Sequence, residues 1–256
     1  MPHVHLHAAQ PAGEIAEAST ASPEVIRLEQ DILAKNNQLA AQNREWFQRQ
    51  HILALNVLGS PGAGKTSLLV RTITDLGATL PCFVVEGDQA TRHDADRITG
   101  AGGAAVQINT GPGCHLEADM LAGGLEKLQP EPASLLFIEN VGNLVCPALF
   151  DLGETLRVVL LSVTEGEDKP LKYPHMFRSA DLVLLHKSDL LPHLDYDVKR
   201  CIAYAREVKP GVEVLPVSSK TGQGMQAWYD WLRLKRAGLF VGKDLSRGRV
   251  AGESKA

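Results

Sequence analysis

The chain has 256 residues, 44% of them apolar and 22% charged, a globular composition that excludes wholesale disorder and a membrane-embedded body. No apolar run approaches the about 18 residues of a spanning helix. The opening Met1-Pro2-His3-Val4-His5-Leu6-His7 lacks the basic and apolar regions of a secretory leader, so a cytoplasmic location is expected. With 26 basic against 30 acidic residues the net charge is −4, without a basic run, which argues against a nucleic-acid partner. The 4 cysteines are too few and scattered for a disulfide scaffold, leaving free thiols or metal ligands.

Residues 1–21 show no periodicity and read as a mobile tail, in which His3, His5 and His7 offer weak metal binding or nothing. Ser22-Pro23-Glu24 then gives a hydroxyl cap, a proline at the first helical position and an acid in the first turn. Val25, Leu28, Ile32, Leu39 and Trp46 follow at helical spacing, predicting a helix over 22–50. Asn36, Asn37, Gln38, Gln42 and Asn43 fall on its other faces, and the helix either packs on its own domain or serves a partner.

From residue 51 to 241, short apolar runs alternate with helical stretches. Ile52–Leu58, Cys82–Val85, Ala104–Ile108, Leu135–Ile138, Val158–Val163, Leu182–Leu185 and Val212–Val217 read as strands. Their continuous apolarity suits a sheet covered on both faces. The alternation predicts an α/β, doubly wound, mostly parallel sheet of about seven strands. Residues 242–256 turn charged and small, a second loose tail.

Gly59-Ser60-Pro61-Gly62-Ala63-Gly64-Lys65-Thr66, followed by Ser67, fits the phosphate-binding loop, placed between a strand and a helix as its mechanism requires. The glycines let backbone N–H groups turn inward around phosphates, and the helix N-terminus reinforces them. Lys65 is expected on the β- and γ-phosphates and the Thr66 hydroxyl on Mg²⁺. Asp88 and Glu139 leave strand ends at the same edge, as Mg²⁺ ligands or to orient the attacking water. Gly142, three residues after Glu139, would offer its N–H to the γ-phosphate. No arginine stands beside these motifs in the sequence, so turnover by the isolated protein is expected to be slow.

Base choice rests on Leu185-His186-Lys187-Ser188-Asp189, which resembles the guanine motif N-K-x-D with histidine for asparagine. Asp189 accepts two hydrogen bonds from guanine, and adenine would leave that acceptor unpaired at about 1–3 kcal/mol. Lys187 would lie along the base, and His186 would donate to N7 or stack. Ser219 and Lys220 stand in a second segment, matching a loop whose backbone N–H meets guanine O6. GTP and GDP are therefore the expected nucleotides.

Gly111-Pro112-Gly113-Cys114-His115-Leu116 and Asn143-Leu144-Val145-Cys146-Pro147 leave strand ends on that same edge. Thiolates and imidazole suit Ni²⁺ or Zn²⁺. One chain supplies only three ligands, and a two-fold homodimer with the site at its interface would complete the shell. Taken alone, the pattern equally describes buried thiols beside a loop histidine. Cys82 and Cys201, in apolar or helical surroundings, read as core thiols.

Together the phosphate loop, Glu86-Gly87-Asp88, the Gly111–Leu116 segment, Glu139–Pro147, Thr164–Pro174 and Ser219–Gly222 resemble the nickel-incorporation GTPases of hydrogenase maturation, the HypB family. The resemblance runs from about Gln38 to Trp231 and implies a P-loop G domain of the SIMIBI type. It further implies slow, Mg²⁺-dependent GTP hydrolysis coupled to nickel insertion into [NiFe]-hydrogenase, with Ni²⁺ or Zn²⁺ on Cys114, His115 and Cys146. Implied partners are a second copy of the chain, other hydrogenase maturation factors and the hydrogenase large subunit. An accessory GTPase of the urease type, a P-loop small-molecule kinase and a non-catalytic metal scaffold are the competing readings. Family members often carry an N-terminal cysteine motif or histidine run for nickel storage. This chain has three alternating histidines there instead.

Overall fold

The structure, a computed structural model, describes residues 23–88, 93–111 and 113–239, without the side chains of residues 23–26, 28 and 29. Both expected tails, the three tail histidines, Ser22, Pro112 and the side chains of Val25 and Leu28 lie outside the described residues. Among the described residues seven strands follow one another: β1 (Leu53–Gly59), β2 (Cys82–Asp88), β3 (Ala104–Asn109), β4 (Leu135–Glu139), β5 (Leu156–Ser162), β6 (Leu182–His186) and β7 (Glu213–Val217). They pair in the order β3-β2-β4-β1-β5-β6-β7, and every ladder is parallel. The helices are α1 (Pro23–Gln50), α2 (Lys65–Leu76), α3 (His93–Gly100), α4 (Ala118–Leu128), α5 (Lys169–Lys172), α6 (Pro174–Ser179), α7 (Val198–Val208) and α8 (Met225–Gly238).

Full burial matches the apolar reading for β1, β4 and β6, whereas the edge strands β3 and β7 are only partly covered. One core, between the sheet and α2 and α8, contains Leu55, Leu68, Ile73 and Trp228. The Trp228 indole donates to the Thr72 hydroxyl at 3.0 Å, so its one polar atom is satisfied inside. Two further cores cover the other face, one against α6 and α7 and one against α1 and α4.

β2 runs three residues past the apolar stretch, because the register Glu86↔Gln107, Gly87↔Ile108 and Asp88↔Asn109 continues the ladder into the polar segment. Two acids that look like loop residues in sequence are thereby fixed by backbone pairing. The carboxyl ends of β1, β2, β3 and β4 lie on one edge, the usual ligand crevice of such sheets.

α1 exists as expected, but its buried face differs. Ile32 is exposed, while Asn36, Ala40, Asn43 and Phe47 are buried at spacings that keep them on one stripe. The two asparagines serve as clamps. Asn36 Oδ1 accepts from the Ala118 N–H at 2.9 Å, satisfying a donor at the start of α4, and its Nδ2 donates to the Asp151 carbonyl at 2.7 Å. Asn43 Nδ2 donates to the carbonyls of Ala118 and Leu152. Gly153, at φ +85°, lets the chain approach so closely that a Cβ there would stand 2.3 Å from the Ala40 carbonyl oxygen.

Candidate nucleotide and metal site

The phosphate loop emerges from β1 with Gly62 and Gly64 at positive φ. A cavity of about 560 Å³ opens over it, lined by Gly62, Gly64, Lys65, Thr66, Ser67, Asp88, Glu139 and Gly142 among others. The expected phosphate and Mg²⁺ residues are thus brought together. Gly59, Ser60 and Ala63 stand outside this lining and frame the loop: the Ser60 hydroxyl donates to Glu165 Oε2 at 2.6 Å, and the Ala63 carbonyl accepts from His186. Gly142 sits so close to Pro61 that a Cβ would lie 2.9 Å from the Pro61 Cα, so its backbone lies against the phosphate loop.

Lys65 is buried, with Nζ directed at the Gly59 and Ser60 carbonyls at 3.5 and 3.4 Å; burial lowers its pKa, opposed by Glu139. The Thr66 hydroxyl donates to Glu139 Oε1 at 2.8 Å. Adjacent oxygens on an octahedral Mg²⁺ stand about 2.9 Å apart, so this pair fits the ion. Glu139 Oε2 is buried without a partner, and burial pushes the carboxyl up to about 7.

Glu86, quoted in the Glu86-Gly87-Asp88 motif but given no role there, also lines the cavity. It pairs in register with Glu139 across β2 and β4, is buried and leaves Oε2 without a partner. Burial first, then the neighbouring Glu139 and Asp88, push it to about 8. An acid directly following the apolar run Cys82–Val85 is the sequence signal that marks it. Arg97 and Asp94 of α3 also line the cavity, and Arg97 reaches the Ser67 hydroxyl at 3.1 Å. An arginine nine residues beyond Asp88 therefore stands at the phosphate edge, correcting the expectation that none is near.

A second cavity of about 240 Å³ adjoins the first and is lined by Gly64, His186, Lys187, Asp189, Ser218, Ser219 and Lys220 among others. Lys187 Nζ donates to the Gly62 carbonyl at 2.7 Å, and Asp189 accepts from the Ser218 hydroxyl at 2.6 Å. Of the two expected contacts of His186, donation to N7 is excluded. The residue is buried, with Nδ1 2.8 Å from the Ala63 carbonyl and Nε2 2.9 Å from the Ser219 hydroxyl, so neither nitrogen is left for N7. The ring instead ties the phosphate loop to the two base-reading segments.

Cys114, His115 and Cys146 meet, with their ligand atoms all within 4.8 Å of one another. The hydrogen bond with Cys146 is the main reason that the Cys114 thiol is raised, and burial adds to it. His115 stacks on Phe150 with ring centroids 3.8 Å apart, and its Nε2 is buried without a hydrogen-bond partner. Two sulfurs and an imidazole nitrogen at this spacing fit a thiophilic divalent ion. Cys82 and Cys201 are buried in the cores, as expected, and burial pushes Cys82 up to about 12.

An all-parallel sheet and a phosphate loop at its centre define a nucleotide-binding protein, and a thiol–imidazole cluster stands on the same edge. The family described as "CobW/HypB/UreG, nucleotide-binding domain" matches residues 53–216. Hydrogenase maturation factor HypB of Rhizobium leguminosarum bv. viciae is 60% identical over 213 residues, covering 83% of this chain and 71% of that protein. HypB from Helicobacter pylori, solved in complex with nickel, has a TM-score of 0.76 at 39% identity, covering 80% of this chain and 96% of that one. Hydrogenase maturation factor HypB from Archaeoglobus fulgidus has a TM-score of 0.75 at 41% identity, covering 80% and 100%. The chain belongs to the HypB family of hydrogenase maturation factors.

Proposed function

We propose that this chain is a GTP-hydrolysing nickel chaperone that helps load [NiFe]-hydrogenase during its maturation. The observation that carries the reading is the Cys114–His115–Cys146 cluster on the same sheet edge as the phosphate cavity. Lys65 and Arg97 supply positive charge to the phosphoryl group, and the Gly142 N–H meets the γ-phosphate. Mg²⁺, held by Thr66 and Glu139 with Asp88 beside them, would neutralise the β- and γ-oxygens. Asp189 reads guanine, and Ser219 and Lys220 close over the base.

Nickel is the cargo. Three ligands do not fill a tetrahedral or square-planar shell, so the site is shared between two copies of the chain across a two-fold axis. Other maturation factors and the hydrogenase large subunit receive the metal from this dimer in the cytoplasm. The nucleotide changes the segments after Asp88 and Glu139, and Cys146 lies seven residues beyond Glu139. Metal affinity therefore differs between GDP and GTP states, and by linkage metal changes nucleotide affinity by the same factor.

The test is nickel and zinc titration of the full chain bound to GDP and to a non-hydrolysable GTP analogue, with mass measured alongside. The expected result is a dimeric metal site whose affinity differs about ten-fold between the two states, or about 1.4 kcal/mol. Cys146→Ala weakens metal binding and spares nucleotide binding. Equal affinities in both states would leave a GTPase and a metal site side by side, without delivery.

A further inference from the structure

Asn140 follows Glu139 at the end of β4 and is 2% exposed. Its Oδ1 accepts two hydrogen bonds, from the Leu116 N–H at 3.1 Å and from the Val141 N–H at 3.0 Å. Both partners are backbone donors, which fixes the amide orientation: the oxygen must face them, and its two lone pairs are both used. Nδ2 faces the other way, toward Asn56 Oδ1 at 3.4 Å.

Asn56 is fully buried in β1 and donates in turn to Glu154 Oε1 at 3.2 Å. Glu154 is held by the Arg157 guanidinium at 2.6 Å and accepts from the Leu152 N–H at 2.7 Å. A chain of polar groups in the sheet therefore anchors the Asn140 side chain to the central strand that carries the phosphate loop. Buried polar networks of this kind, with each partner satisfied, hold a single arrangement.

The two N–H groups on Oδ1 belong to different functional segments. Leu116 directly follows His115, whereas Val141 opens the stretch that bears Gly142 at the phosphate cavity and continues to Cys146. Leu116 is gripped a second time. Its side chain is fully buried against Gly87, where a Cβ would stand 2.6 Å from Leu116 Cγ, and Gly87 lies between Glu86 and Asp88. The half of the metal cluster carrying Cys114 and His115 is thus pinned to both acid-bearing strand ends.

We propose that Asn140 is the positioning residue that couples the nucleotide to the metal, by holding both halves of the metal site on one side-chain oxygen. The inference rests on the coupled function proposed above and names the atom through which it runs. When the γ-phosphate draws the Val141–Gly142 backbone inward, the Val141 bond to Oδ1 changes. The Leu116 bond on the same oxygen then shifts the frame of Cys114 and His115 relative to Cys146. Asn140 also lines the phosphate cavity, but its side-chain oxygen and nitrogen are engaged by Leu116, Val141 and Asn56.

The experiment measures Zn²⁺ and Ni²⁺ affinity, by competition with a chromophoric chelator, in the GDP and GTP-analogue states of wild type, Asn140→Ala and Asn140→Asp. Wild type should differ about ten-fold between the states. Asn140→Ala should bring the two affinities within about two-fold of each other while binding GDP as wild type does. Asn140→Asp keeps the acceptor for both N–H groups and should retain the dependence, which a merely structural loss would not explain. Should the alanine variant fail to fold, Asn140→Ser, whose hydroxyl does not span both segments, gives the same reading. Wild-type dependence that survives in Asn140→Ala or Asn140→Ser overturns the role of Asn140 and leaves the coupled function standing. Equal affinities in wild type overturn both.

Discussion

The His186 ring lies so close to Gly64 that a Cβ on the glycine would stand 2.4 Å from His186 Nδ1. The last glycine of the phosphate loop, at φ +101°, therefore makes room for the base-reading segment as well as turning the chain. Nδ1 must carry the proton, since the Ala63 carbonyl facing it only accepts, and Nε2 is left as the acceptor for the Ser219 hydroxyl.

That arrangement gives the first prediction. His186→Ala leaves the Ala63 carbonyl and the Ser219 hydroxyl without their partner, at about 1–3 kcal/mol. GDP affinity should fall about 10- to 100-fold. His186→Asn, whose amide also offers one donor and one acceptor, should stay within a few-fold of wild type. Calorimetric GDP titration separates them, and an alanine variant that binds as well as wild type would remove the ring from the site's architecture.

Asp189→Asn presents an amide where guanine needs acceptors. GTP should weaken by about 10²-fold while xanthosine triphosphate, which offers an acceptor in place of the amino group, is favoured. Competition between the two nucleotides measures the switch. Unchanged preference would show that this carboxylate does not read the base.

Arg97 lines the phosphate cavity from α3 and is tied to Asp94 at 2.9 Å and to Ser67. Its charge matters more as the γ-phosphoryl leaves than in the bound ground state. Arg97→Ala should lower kcat about 10- to 100-fold with little change in GDP affinity. Single-turnover hydrolysis at saturating GTP is the measurement. A variant with wild-type kcat would make the arginine only a tether for Asp94.

Burial disfavours the charged forms of Glu86 and Glu139 and pushes their carboxyls up to about 8 and about 7. In the folded nucleotide-free protein they hold protons that the unfolded chain has already released above its ordinary carboxyl range. Stability therefore falls as pH rises from about 4.5 toward 8, the reverse of a salt-bridged acid. Glu86→Gln should flatten this decline and raise the melting temperature most at the alkaline end. Mg²⁺ binding needs the charged form of Glu139 and should strengthen across the same range. Denaturation between pH 5 and 8, with and without Mg²⁺ and GDP, tests both. A stability that rises with pH in the empty protein would refute the buried-acid account.

The sequence by itself determined the alternation of elements, because buried parallel strands must be apolar throughout and their covering helices amphipathic. It determined the phosphate loop too, since glycine spacing followed by Lys65-Thr66 is a local requirement of backbone geometry. Only the tertiary structure decided which face α1 buries. Asn36 and Asn43 are polar in any periodicity count, and only the unsatisfied groups at the start of α4 and around Leu152 make them interior residues. The same holds for Glu86, which strand register sets beside Glu139, and for Arg97, which α3 folds back over the phosphate edge from 31 positions beyond Thr66. His186 shows the boundary most plainly. Its place in the base-reading segment is written in the neighbouring Lys187 and Asp189, but its work is set by the Ala63 carbonyl and the Ser219 hydroxyl, which meet it only in the fold.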